Sequence, residues 1–87
     1  MKIKKGFILR KVANENVVMP IGKASMLLNG IIKLNESSVL LWNLLKDGAE
    51  KADLVAALQN EYSIDAAQAE QGVEAFLAPL LKVGCIE

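Results

Sequence analysis

Histidine is absent from this chain of 87 residues, and cysteine occurs once, as Cys85. Without an imidazole, Ser-His-Asp and Cys-His nucleophiles are excluded within the chain, and a lone thiol can neither close an internal disulfide nor build a thiolate zinc site. No catalytic residue, metal-ligand set or cofactor is therefore expected. Cys85 lies between Gly84 and Ile86 and reads as an ordinary semi-buried core residue, because a free thiol packs as a small hydrophobe; a reactive thiol is the alternative.

Long apolar runs are missing too. Hydrophobic residues make up 53% of the chain and charged residues 23%, a composition that should fold. Lys, Asn, Glu or Gly interrupts the apolar stretches every few positions, so none approaches the roughly 18 residues that a membrane span requires. The opening Met1-Lys2-Ile3-Lys4-Lys5-Gly6 has the charge of a signal peptide without the apolar segment and cleavage site that should follow. A cytoplasmic protein with no membrane partner is expected. At this length the chain is one domain, residues 1–87, burying about 60–65% of the surface its unfolded form exposes around a single thin core.

Net charge is zero, but the two signs are segregated. Up to Asn35 there are seven basic residues (Lys2, Lys4, Lys5, Arg10, Lys11, Lys23 and Lys33) and one acid, Glu15, giving +6. From Glu36 onward three lysines meet nine acids, giving −6. A basic sheet half adjoining an acidic helical half serves attraction between layers and solubility, or draws an acidic partner by raising its encounter rate.

What is present is organised around residues 30–48. Ile31-Ile32-Lys33-Leu34 reads as a strand that passes through Asn35, a good N-cap, into a helix over 36–46, and Gly48 supplies the left-handed residue that stops it. The buried stripe of that helix is Ser38, Leu41, Trp42 and Leu45. Upstream, residues 7–12 and 17–19 form a hairpin around turn material at 13–16, and Pro20 ends the second strand for want of an N–H. Asn29-Gly30 is a strong two-residue turn signal, pairing residues 25–28 with 31–34. In that register Leu27, Ile32 and Leu34 share the core face, whereas the other face carries Met26, Leu28, Ile31 and Lys33. Three apolar residues on that second side are unusual for a surface that only meets water; either the chain covers it or it belongs to a docking site.

A second helix is expected over 51–62, with Leu54, Val55, Leu58 and Tyr62 on its buried side. Asp65 then caps a long third helix with the stripe Ala69, Val73, Phe76, Leu77 and Leu80, ended by Gly84 and weakened or kinked near Ala75 and Phe76 by Pro79. Ala66, Ala67, Ala69, Gly72 and Ala75 leave little bulk on its N-terminal half. Another backbone could approach there: a neighbouring helix, or a guest in a groove whose other wall is the edge at residues 31–34.

Strands followed by three helices suggest an α+β domain of winged helix-turn-helix type, a small antiparallel sheet followed by three α-helices. Nucleic-acid binding is the first function such a fold raises, yet the third helix presents Asp65, Glu70 and Glu74 against Lys82 alone, and the second carries Asp53 and Glu61 beside Lys51. A duplex would repel both, leaving only the basic strands as a route to DNA.

Leu34-Asn35-Glu36-Ser37-Ser38, Leu41-Trp42, Leu44-Leu45, Gly48, then Leu54, Leu58 and Tyr62, then Phe76-Leu77, Leu80 and Gly84 resemble the PqqD-like proteins, named for pyrroloquinoline quinone biosynthesis. The resemblance runs over nearly the whole chain, and the opening residues 1–7 fit the small stand-alone members. It implies a non-catalytic recognition element that binds the leader segment of a ribosomally made precursor peptide and presents it to a modifying enzyme, commonly a radical S-adenosylmethionine enzyme. The leader is implied to add as a strand in the groove between the third strand and the third helix. In this sequence the matching peptide-binding positions are Gly30, Ile31, Ile32, Lys33 and Leu34 on one wall and Gln68, Ala69, Gly72, Val73 and Phe76 on the other. Residues 21–28 lengthen the sheet connection relative to the shortest members, which leaves the pairing order open. A DNA-binding winged helix and a structural adaptor of an enzyme complex are the alternatives, and an exposed edge also permits pairing between copies, swapped dimers included.

Overall fold

A computed structural model describes residues 1–22 and 32–87. Its elements run β1 (Phe7–Val12), β2 (Glu15–Pro20), β3 (Ile32–Leu34), α1 (Glu36–Asp47), α2 (Lys51–Tyr62) and α3 (Ala66–Val83). The strands form one antiparallel sheet in the order β1-β2-β3. This is the expected α+β architecture, a three-stranded sheet followed by three helices. The winged-helix label fits loosely, because all three strands precede the helices and no hairpin follows α3.

The β1–β2 turn is tighter than the sequence suggests. Ala13 and Asn14 both take positive φ, 51° and 66°, so the turn has two residues and β2 begins at Glu15. This geometry matches the right-handed twist of the strands. The register pairs Phe7 with Pro20 and Val12 with Glu15, and on the other side of β2 it pairs Asn16 with Leu34 and Val18 with Ile32. Phe7, Leu9, Val18, Ile32 and Leu34 thereby share the inner face and pack on the helices. Ile8, Arg10, Val12, Glu15, Val17, Met19 and Lys33 share the outer face. Val17 is only 2% exposed there, lying in register between Arg10 and Lys33. The expected 25–34 hairpin and its apolar face at Met26, Leu28 and Ile31 lie outside the described residues.

Helix boundaries follow from local chemistry. Asn35 Oδ1 accepts from the Ser38 amide and from Ser37 Oγ, each at 2.9 Å, and the Gly48 amide donates to the Leu45 carbonyl. Asp65 caps α3 by accepting from the Gln68 amide at 2.8 Å, and Gly84 ends it with φ 78°. The start of α2 was not legible as a cap: the Asp53 carboxylate reaches back to the Glu50 amide at 2.9 Å, a reciprocal arrangement typical of first turns.

Trp42, Leu41, Leu45, Leu54, Val73 and Leu80 form the centre of the core. Each such side chain contributes about 1.5–3 kcal/mol through burial. Tyr62, expected on the buried side of α2, is 44% exposed instead, since the last turn of that helix runs past the core. The chain ends are tied together, a contact that periodicity could not reveal: Ile3 bridges Ile86, the Lys4 amide donates to the Cys85 carbonyl at 2.8 Å, and the Glu87 amide donates to the Lys2 carbonyl at 2.8 Å. Ile3 also donates to the Leu45 carbonyl, which joins this clasp to α1.

Leu45→Ala should lower stability by about 2–5 kcal/mol, measured by denaturant unfolding, because it opens a cavity where the helices meet the clasp. Cys85 is fully buried, and burial pushes its thiol pKa up. It should react with an aromatic disulfide reagent only at the rate of unfolding. Because the raised value disfavours the folded thiolate, stability is complete below the ordinary value of 9.0 and declines as pH rises above it. Rapid stoichiometric labelling of the native protein would contradict this placement.

Candidate functional site

One rule of antiparallel pairing fixes which backbone groups point outward at the sheet edges. Residues in a strand alternately direct both their N–H and C=O toward one neighbour and then the other. The Ile21 amide donates to the Gly6 carbonyl at 2.7 Å, and the hairpin closes at Val12 and Glu15, so Glu15, Val17 and Met19 bond toward β1. Asn16 and Val18 therefore bond toward β3, where Leu34 and Ile32 answer them. Lys33, between those two, has both backbone groups directed away from the sheet.

Beside that edge lies a trough of about 270 Å³, lined by Ile32, Lys33, Leu34, Asn35, Ser37, Ser38, Gly72, Ala75, Phe76 and Pro79. One wall is β3. The other is α3, whose contribution there is small or flat except for Phe76, a buried side chain. The first turn of α1 closes one end with Ser37 and Ser38. The helix wall can lie close because Gly72, Ala75 and Pro79 have little bulk. Gly72 also serves α2: a Cβ at this position would meet Leu58 Cδ1 at 3.2 Å, so close helix packing and an open trough draw on the same missing side chain.

Of the residues singled out by the sequence, Ile32, Lys33, Leu34, Gly72 and Phe76 are brought together around this trough. Ala69 and Val73 are not: each is fully buried in the core and neither lines the trough. Gln68 is exposed and uses its amide in the α3 cap, outside the trough lining. Gly30 and Ile31 lie outside the described residues. Sequence reasoning overlooked Ser37, Ser38 and Pro79 as wall residues, whereas Ala75 was among the low-bulk positions it singled out on α3. Ser38 stood out only as a member of the α1 stripe and Pro79 only as a helix breaker.

Pro79 does more than interrupt. α3 continues through it to Val83, but a proline has no N–H to give to the carbonyl four residues earlier, that of Ala75. Both residues line the trough. The Ala75 carbonyl therefore has no donor from position 79, in the wall of the trough that Lys33 also lines.

Charges sit around the trough rather than in it. Lys33 Nζ is 3.2 Å from Glu15 on the outer sheet face, an exposed pair worth about 0–1 kcal/mol. Lys51 joins α2 to α3 through Glu74 at 2.9 Å and Glu70 at 3.5 Å, and the hydrogen bond that its ammonium donates to Glu74 raises the lysine pKa. Among the described residues no group of His, Cys, Asp and Glu could hold a metal ion, and no buried side-chain polar atom lacks a partner. No helix among them is long and apolar enough to cross a membrane.

A strand edge, a low-bulk helix wall and the order β-β-β-α-α-α agree with the family match. Residues 15–86 fit the model of the family described as Coenzyme PQQ synthesis protein D. The chain belongs to the PqqD family. Two solved structures share its fold: TbiB1 in complex with the TbiA(beta) leader peptide, 24% identical over all of this chain and 95% of that one with TM-score 0.76, and a lasso peptide synthetase B1 complexed with its leader peptide, 22% identical over 95% and 92% with TM-score 0.72. Among curated proteins none matches this member of the family.

Pro79→Ala should restore the missing helical hydrogen bond and raise stability by about 1–3 kcal/mol, read as an increase in melting temperature. No gain would mean that the Ala75 carbonyl already has an equivalent partner.

Proposed function

We propose that this protein recognises a peptide and does no chemistry itself, taking the leader segment of a ribosomally made precursor as a fourth strand on β3 and presenting it to a modifying enzyme. The observation that carries this reading is the outward N–H and C=O of Lys33 beside a low-bulk trough against α3. An extended guest would exchange main-chain hydrogen bonds with the β3 edge, and its alternate side chains would enter between Ile32, Leu34, Gly72 and Phe76. Main-chain bonds supply affinity, and the shape of the wall selects sequence. The acceptor freed by Pro79 gives the guest a second anchor.

Family membership supports the reading, as do two structures of the same fold whose partners are leader peptides. So does the chemistry of the chain: it has no histidine, and Cys85, its one thiol, is buried. The enzyme partner is proposed to be a radical S-adenosylmethionine enzyme, acting in the cytoplasm. Gly30 and Ile31, which the resemblance names for the same edge, lie outside the described residues, and Ala69 and Val73 support the wall from behind. An edge that accepts a peptide also accepts another copy of itself, so a homodimer formed through β3 would compete with the leader.

The test is a titration of the ¹⁵N-labelled protein with synthetic leader segments from short open reading frames next to its gene. Amide shifts should cluster at Ile32, Lys33, Leu34 and between Gly72 and Pro79. Lys33→Pro removes an outward donor without touching the β2–β3 ladder, and Ala75→Trp fills the trough; each should weaken binding about tenfold or more, equivalent to at least about 1.4 kcal/mol, with melting temperature changed by only a few degrees. Binding that leaves both regions unperturbed would disprove the groove.

A further inference from the structure

The sheet has a second open edge, and its chemistry differs from the first. β1 is the outer strand opposite β3. By the same alternation, Gly6, Ile8, Arg10 and Val12 bond toward β2, so Phe7, Leu9 and Lys11 direct their N–H and C=O away from the sheet. No hydrogen bond among the described residues uses those groups. A trough of about 270 Å³ runs beside this edge, between Phe7, Ile8 and Leu9 on β1 and Trp42, Asn43 and Lys46 on α1. The two sides of the sheet thus repeat one plan, an edge strand with a depression against a helix.

Electrostatics distinguish them. Arg10 and Lys11 lie on β1, Lys4 and Lys5 precede it, and Lys46 stands on the far rim. None of these five cations has an ion-pair partner among the described residues, whereas Lys33 is paired with Glu15 and Lys51 with Glu70 and Glu74. β1 contains no acid. A second copy pairing β1 against β1 would bring Arg10 and Lys11 close to their own equivalents, and like charges across a strand pair are destabilising. A duplex nucleic acid would use the cations but leave the outward strand groups unpaired, and it would meet the acidic helices.

We propose that the β1 edge and its trough against α1 dock an extended acidic segment of a partner protein. The segment alternates acidic and apolar residues. Its acids face Arg10 on the outer side of the sheet, its apolar side chains enter between Leu9 and α1, and Phe7, Leu9 and Lys11 supply the ladder. Since β2 and two strand spacings, roughly 10 Å, separate the two edges, this docking proceeds whether or not β3 holds a peptide.

The probe is the synthetic peptide acetyl-(Val-Glu)4-amide, titrated into the ¹⁵N-labelled full chain beside its (Val-Lys)4 counterpart and a short DNA duplex. The acidic peptide should shift the amides of Phe7, Leu9, Lys11 and Asn43 while leaving Lys33 and Ala75 unmoved, and the response should weaken several-fold between about 50 and about 300 mM salt. Lys11→Pro, which removes an outward N–H at an edge, should lower affinity about tenfold. Arg10→Glu combined with Lys11→Glu should abolish binding of the acidic peptide and confer binding of the basic one, a reciprocal outcome that misfolding cannot produce. Equal shifts from the basic peptide, the same shifts from DNA, shifts confined to Lys33 and Ala75, or no response at millimolar peptide would each overturn the proposal.

Discussion

Closure of the β1–β2 hairpin over Ala13 and Asn14 fixes the hydrogen-bonding parity of the whole sheet, and with it which backbone groups each edge presents. A turn of two residues with positive φ makes Val12 and Glu15 a bonded pair. Each later pair then follows by alternation, so the groups of Lys33 point outward on one side of the sheet and those of Phe7, Leu9 and Lys11 on the other, unused among the described residues. One residue more in that turn would exchange bonded and free groups along β2 and move Val18 from the core to the surface. Burial of Val18 holds the register in place, and the register in turn decides what a guest strand meets.

Helices give the edges their selectivity. α3 approaches β3 with Gly72, Ala75 and Pro79, and α1 approaches β1 with Asn43 and Lys46 around the buried ring of Trp42. The first wall is built of small residues and includes a carbonyl that Pro79 cannot serve, which suits a main-chain guest chosen by shape. Cations that have no ion-pair partner among the described residues surround the second, which suits a guest chosen by charge. A fold with no reactive side chain in either trough can act by holding two extended segments close to one another.

Much of this was legible in the residues because it rests on local rules. Asn35, Asp65, Gly48 and Gly84 mark helix ends through capping and left-handed geometry, and Leu41, Trp42 and Leu45 mark a face by spacing alone. β2 ends at Pro20 as expected, although the Ile21 amide makes one further bond, to the Gly6 carbonyl. What escaped depended on contacts between distant segments. Periodicity placed Tyr62 with the core, because a stripe tells which residues align but not how far a neighbour extends; the same spacing put Ala69 and Val73 in the buried stripe, where they lie, and only the resemblance named them for the groove. Pro79 read as a defect in isolation, and only its position opposite β3 turns the lost hydrogen bond into a feature of the site.

The clasp between Ile3 and Ile86 has a kinetic meaning. Joining two residues 83 positions apart carries the loop-closure entropy of nearly the whole polymer, and that cost is small only after the intervening helices have condensed. The clasp is therefore a late event on the way in and an early one on the way out. Weakening it would hasten escape from the native basin while leaving the rate of entry almost untouched.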